Sequence, residues 1–163
     1  MPDETPFAQH FTSLVEYRQA LDTIVAQVRY TLRLFDCDMH DGGWNSPQRY
    51  EGLKYFLLAS PQNRLHIVLH NVNYVSRHCP RMMCLLREHS YAVFIHQTHP
   101  EARGVFDSML IADDAHYVHR FHYGQPRSEY VLNDPDKAQG LLQHFNEIWH
   151  ASTLAVPATT LGL

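Results

Sequence analysis

Three short runs rich in β-formers, Arg29 to Phe35, Leu65 to His70 and Ala92 to Gln97, alternate with stretches of helical periodicity. This alternation restricts the fold more than any other feature. A strand that reaches the next one through a helix runs parallel to it, so these three runs are expected to be parallel neighbours. Before the first run, Ser13 and Glu16 have capping-box spacing, and Leu14, Tyr17, Leu21, Ile24 and Val28 recur on one helical face. Ser46-Pro47 opens a second helix with Tyr50, Leu53, Phe56 and Leu57 as its apolar face. A third helical stretch spans Val72 to His89, and Pro80 kinks or restarts it.

The C-terminal half has a different grammar. Ser108 to Ala112, His116 to His122 and Ser128 to Leu132 read as strands separated only by the turns Asp113-Asp114 and Tyr123-Gly124-Gln125-Pro126. Turns this short impose antiparallel pairing. Asp134-Pro135 then opens a last helix with Ala138, Leu141, Leu142, Phe145, Ile148 and Trp149 in one stripe. The expected architecture is α/β: a mixed, mostly parallel sheet flanked by helices on both faces.

With 163 residues and no repeat or charged linker, the chain reads as a single domain. Residues 1–28 form an N-terminal helix, 29–152 the α/β core, and 153–163 an uncharged tail. Thirteen Lys plus Arg against seventeen Asp plus Glu give −4, which argues against a strongly basic nucleic-acid binder. No apolar run approaches the roughly twenty residues of a membrane span. The start, Met1-Pro2-Asp3-Glu4, is unlike a secretory signal. Cys37, Cys79 and Cys84 are irregularly spaced and odd in number, so a reducing, cytoplasmic setting is expected. Thirteen histidines are out of proportion to the rest, and histidine is the commonest metal ligand.

Asp107 to Ser152 reads D-x-M-L-I-A-D-D, a hairpin, S-E-Y-V-L-N-D-P and a helix ending F-N-E-I-W-H-A-S. This order resembles the second part of a phospholipase D-type half-domain, and the βαβα lead-in is similar to that fold from about residue 30. More specifically, the chain resembles uncharacterised bacterial phospholipase D-like domains that lack the catalytic signature. In the resembled motif a His and a Lys two residues apart precede an Asp. Placing Asp113 at that Asp puts Phe106 at the nucleophile and Ser108 at the phosphate-binding cation. Phosphodiester cleavage needs an imidazole to attack phosphorus and a cation on the non-bridging oxygens. The resemblance therefore implies a degenerate site with no catalytic residue. It also implies a homodimer, because active relatives combine two motifs.

Two constellations remain. Arg120, His122 and Arg127, with Asp113 near the hairpin, form a candidate ligand-binding set, since paired guanidinium groups grip phosphate or carboxylate. The bland alternative for the same arginines is an internal ion network with Asp113, Asp114 or Glu129. Separately, Asp36, His40, His70 and His96 fall after strands expected to be parallel, where α/β ligands bind, and Asp with His suits a divalent metal. Two functions follow. One is a non-catalytic domain without cofactor that binds an anionic, phosphate-bearing small molecule or a protein partner. The other is a small hydrolase using a divalent metal on Asp36, His40, His70 and His96.

Overall fold

The first helix starts where the Ser13–Glu16 spacing places it: the Ser13 hydroxyl oxygen accepts from the Glu16 N–H at 3.2 Å and donates to the Glu16 carboxylate at 2.8 Å. A computed structural model describes residues 5–157. The elements in chain order are β1 (Phe7–Phe11), α1 (Leu14–Gln27), β2 (Thr31–Asp36), α2 (Pro47–Ala59), β3 (Arg64–Leu69), α3 (Asn73–His78), α4 (Pro80–Glu88), β4 (Val93–Thr98), β5 (Ser108–Ala112), β6 (His116–Arg120), β7 (Ser128–Leu132), α5 (Pro135–His150) and β8 (Ser152–Leu154). Pro80 does restart the third helical stretch, standing at the first position of α4, where its missing N–H costs nothing.

The strands form one sheet in the order β1-β7-β6-β5-β2-β3-β4-β8. As expected, β2, β3 and β4 are parallel neighbours, and the sheet is mixed with helices on both faces. The expected predominance of parallel pairs is corrected: all the other pairings are antiparallel. Two causes act together. The short turns force β5, β6 and β7 into a meander, and β1 and β8 add two antiparallel edges that have no helical or alternating signature in the sequence. A strand thus lies within residues 1–28, and β8 occupies the start of the expected tail; residues 158–163 lie outside the described residues.

Strand alternation divides the core in two. Leu32 and Leu34 of β2 join Leu21, Ile24, Leu53 and Phe56 on the face covered by α1 to α4. Phe35 points the other way, to Phe145 and Ile148 of α5. Each such buried side chain stabilises the fold by roughly 1.5–3 kcal/mol, so a one-residue register slip would expose a whole row.

The β5–β6 turn holds the meander to β2. Asp113 and Asp114 take consecutive left-handed conformations (φ 54° and 56°), which Asp tolerates better than most residues. The Asp113 carboxylate accepts the N–H groups of Arg29, Tyr30 and Thr31 at 2.9, 2.7 and 3.1 Å, gathering the start of β2. Charged acceptors of this kind contribute about 2 kcal/mol. Asp113→Ala is therefore expected to lower the unfolding free energy by about 2 kcal/mol or more in urea titration; an unchanged midpoint would show that solvent serves these N–H groups as well.

Candidate functional site

Because β2, β3, β4 and β6 run one way and β5 and β7 the other, one edge of the sheet gathers Asp36, His70, Ser108 and Arg120 from four strand ends. On the α1 side of this edge the polar groups form a closed network. Ser108, fully buried, donates to Asp36 Oδ1 at 2.8 Å, and the Cys37 N–H donates to the same oxygen at 2.7 Å. Arg120 is 3% exposed and lies over the Tyr17 ring at 5.0 Å. Its Nη1 donates to Asp41 at 2.9 Å and its Nε to the Gln125 carbonyl at 2.6 Å. Burial pushes the Asp36 carboxyl up to about 6, against the pull of the Ser108 hydrogen bond, and the nearby Asp41 adds to the rise. Burial likewise raises the Tyr17 phenol, which stays protonated. Asp36 Oδ2 is buried without a hydrogen-bond partner.

On the α5 side a second cluster stands where the sequence reading had no candidate. Asp107 accepts from His119 of β6 at 2.8 Å and from His144 of α5 at 3.3 Å. Burial alone would raise the Asp107 carboxyl; the hydrogen bonds from both imidazoles outweigh it and hold it far below the ordinary carboxylate range. Asp107 in turn raises His144. The β5–β6 register, Met109 opposite His119, sets Asp107 diagonally across from His119, a relation readable from the hairpin. His144 required the docking of α5.

The four residues of the metal set go to separate partners. Asp36 is committed to Ser108, and His40 contacts Asp38 at 2.5 Å. The two ring nitrogens of His70 meet Thr98 Oγ1 at 2.7 Å and the Val105 carbonyl at 2.6 Å. His96 stacks on Trp149 at 3.8 Å and contacts Ser152. Parallel strands did bring these residues to one end of the sheet, but alternation turned Asp36 to the α1 face and His70 and His96 to the other. Among the described residues no group of three His, Cys, Asp or Glu is arranged to hold a metal ion.

The ligand-binding set is also divided. Asp113 sits at the opposite end of the β5–β6 hairpin from Arg120, bound to the start of β2. Arg120 belongs to the internal network, with Asp41 as its partner in place of Asp113, Asp114 or Glu129. Asp41 lies 79 positions from Arg120, and no local pattern links them. His122 and Arg127 are exposed beyond the ends of β6 and β7. Arg127 lies over Phe121 at 5.6 Å, and His122 stacks with Phe106 at 5.9 Å and Tyr123 at 5.0 Å. Phe106 itself is 51% exposed.

The eight-stranded sheet with its helices is the fold of the phospholipase D family. It superposes on Nuc from Salmonella typhimurium, a phospholipase D family member, with a TM-score of 0.63 at 14% identity, covering 93% of this chain and 99% of that one. NucT from Helicobacter pylori gives 0.59 at 11% identity, covering 93% and 100%. TrmBL2, an archaeal chromatin protein whose structure shows a novel mode of DNA binding, gives 0.68 at 11% identity. The match covers 91% of this chain but only 54% of TrmBL2, so the chain spans about half that protein's length. No curated protein matches by sequence. Residues 13–158 match the family described as "Domain of unknown function (DUF7931)", and the chain belongs to it. No helix among the described residues is long and apolar enough to cross a membrane.

The Asp107 cluster has a defined pH signature. Asp107 lifts His144 above its ordinary 6.5, so this pairing contributes fully below 6.5 and is lost as pH rises through the raised value. Asp107 is depressed below 3.8, so its contribution is present above 3.8 and is lost only on strong acidification. The stability difference between wild type and His144→Ala is expected to be largest near pH 5 to 6 and to shrink by about pH 8. A difference independent of pH would mean that His144 acts by packing alone.

Proposed function

We propose that this phospholipase D-like domain binds an anionic, phosphate-bearing ligand at its strand-end edge without cleaving it. The observation that carries this reading is the commitment of Ser108 to buried Asp36. In the resemblance Ser108 stands at the phosphate-binding cation, and here its hydroxyl faces inward to a carboxylate. Phe106, at the nucleophile's place, offers carbon to an incoming phosphate and covers His122. Neither group attacks phosphorus or neutralises a non-bridging oxygen. Arg120, opposite Ser108 in the β5–β6 register, is paired internally with Asp41.

Of the candidate ligand-binding set, Arg127 and His122 remain as exposed donors. Arg127 has no carboxylate partner among the described residues and is backed by the Phe121 ring, so its guanidinium fork is open to a planar or tetrahedral anion. The His122 Nδ1 accepts from the Gly124 N–H at 2.9 Å, which orients the ring and places a proton on Nε2 for donation. The net charge of −4 favours a small anion with local contacts over a long polyanion.

The test pairs an activity with an affinity. Bis(p-nitrophenyl) phosphate is expected to release no nitrophenol above the buffer rate. Calorimetric titration with pyrophosphate is expected to show saturable binding that Arg127→Ala and His122→Ala each weaken by about tenfold, the loss of one charge-assisted hydrogen bond. Arg120→Ala is expected instead to destabilise the fold by about 3 kcal/mol, because it strands Asp41 without its partner. Nitrophenol release, or pyrophosphate affinity unchanged in both surface variants, would overturn the reading.

A further inference from the structure

The helix α5 leaves part of the sheet uncovered. It follows β7 and leads into β8, six strand positions away in the sheet, a distance of about 29 Å. Its 16 residues extend about 24 Å, so it crosses the strands and shields one band of each. On β2 and β3 that band holds Phe35 and Val68. Arg33 and His66 stand two positions earlier on the same face, in register with each other and with Phe94 of β4. Between them and the C-terminal half of α5 runs a cleft of about 320 Å³, lined by Arg33, His66, Phe145, Asn146, Trp149 and His150. None of these residues belonged to a candidate site read from the sequence.

The cleft combines flat apolar walls with unused polar groups. His66 stacks with Phe94 at 5.6 Å and meets Trp149 edge-on at 5.0 Å, and Phe145 stacks offset on Trp149 at 6.1 Å. Half-buried His66 has no hydrogen-bond partner among the described residues. Burial first, then Arg33, His96 and Arg64, drive its imidazole down to about 4, and no carboxylate counters them. The ring is therefore neutral at about pH 7, with one donor and one acceptor to offer. Arg33 pairs through Nη1 with Asp114 of the β5–β6 turn, which leaves its Nε and Nη2 for a second acceptor. The cations around His66 make the local field positive although the chain carries −4.

We propose that this cleft binds a small planar aromatic carboxylate, its ring against Trp149 and Phe145 and its carboxylate on the Nε–Nη2 side of Arg33. The volume lies at the small end of ligand sites, roughly 300–1,000 Å³, so it suits one or two fused rings and excludes a long polyanion. Trp149 and Phe145 favour a flat ring through offset or edge-on contact. Two N–H groups on one side of a guanidinium match the two oxygens of a carboxylate, and the His66 imidazole and the exposed Asn146 amide supply further donors at the rim. Inorganic phosphate would use Arg33 but leave the aromatic walls idle. Arg33 reaches toward Asp114, at the opposite end of the β5–β6 hairpin from Arg120, so this inference does not rest on the strand-end reading.

The test is a titration of the full chain with 2-naphthoate, followed by proton–nitrogen NMR. Saturable binding is expected with Kd on the order of 100 µM. The indole N–H resonance of Trp149 is expected to shift, and that of Trp44, 2% exposed, to stay. Two relatives of the probe separate its features: uncharged 2-naphthamide and non-planar cyclohexanecarboxylate are each expected to bind at least about tenfold more weakly. Arg33→Gln is expected to cost about tenfold in affinity. Because that change also releases Asp114, Asn146→Trp at an exposed position serves as a second variant; it fills the cleft and is expected to abolish binding with the melting temperature unchanged. Saturating pyrophosphate, which reports on Arg127 and His122, is expected not to displace naphthoate. No binding in the millimolar range, equal affinity for the amide, full affinity in both variants, or displacement by pyrophosphate would overturn the proposal.

Discussion

Everything at the strand-end edge depends on the position of β2. It is parallel to β3 on one side and antiparallel to β5 on the other, so it is the seam between a crossover-connected half and a hairpin-connected half. Both rows of its backbone groups must be paired, because the strand is covered on both faces and an unpaired buried N–H or C=O is costly. That requirement draws the amino end of β5 against the carboxyl end of β2, and with it Ser108 against Asp36. At the other end of the seam, Asp113 gathers the three N–H groups that begin β2. A carboxylate therefore works at each end, one organising backbone and the other buried at the site.

The buried network explains the chemistry of the edge. Asp36, Asp41 and Arg120 are taken largely out of water, and such charges persist only with hydrogen-bonded partners. Arg120 has Asp41, a carbonyl and the Tyr17 ring. Asp36 is buried with one carboxylate oxygen unpartnered, and that burial, more than the nearby Asp41, raises its proton affinity. The network turns potential ligand contacts inward and leaves the outer rim to Arg127, His122 and the aromatic side chains around them.

The histidine excess is resolved by placement. His119 and His144 converge on Asp107, His70 bridges Thr98 and the Val105 carbonyl, and His96 stacks on Trp149. His66 is driven to about 4 by burial and by neighbouring cations. These rings serve packing and hydrogen bonding in several separate places, a distribution that counting could not reveal.

The sequence by itself determined the capped helices, the three parallel strands and the β5–β6–β7 meander. Each of these follows from local periodicity, capping chemistry or turn length. Only the tertiary structure decided that β1 and β8 close the sheet, that Asp41 takes Arg120, that Asp113 lies far from it, and that Asp36, His40, His70 and His96 part company. The physical reason is the same in every case. Period and turn type act over a few residues, whereas the partner of a buried charge and the neighbour of an edge strand are chosen by docking segments that lie tens of positions apart.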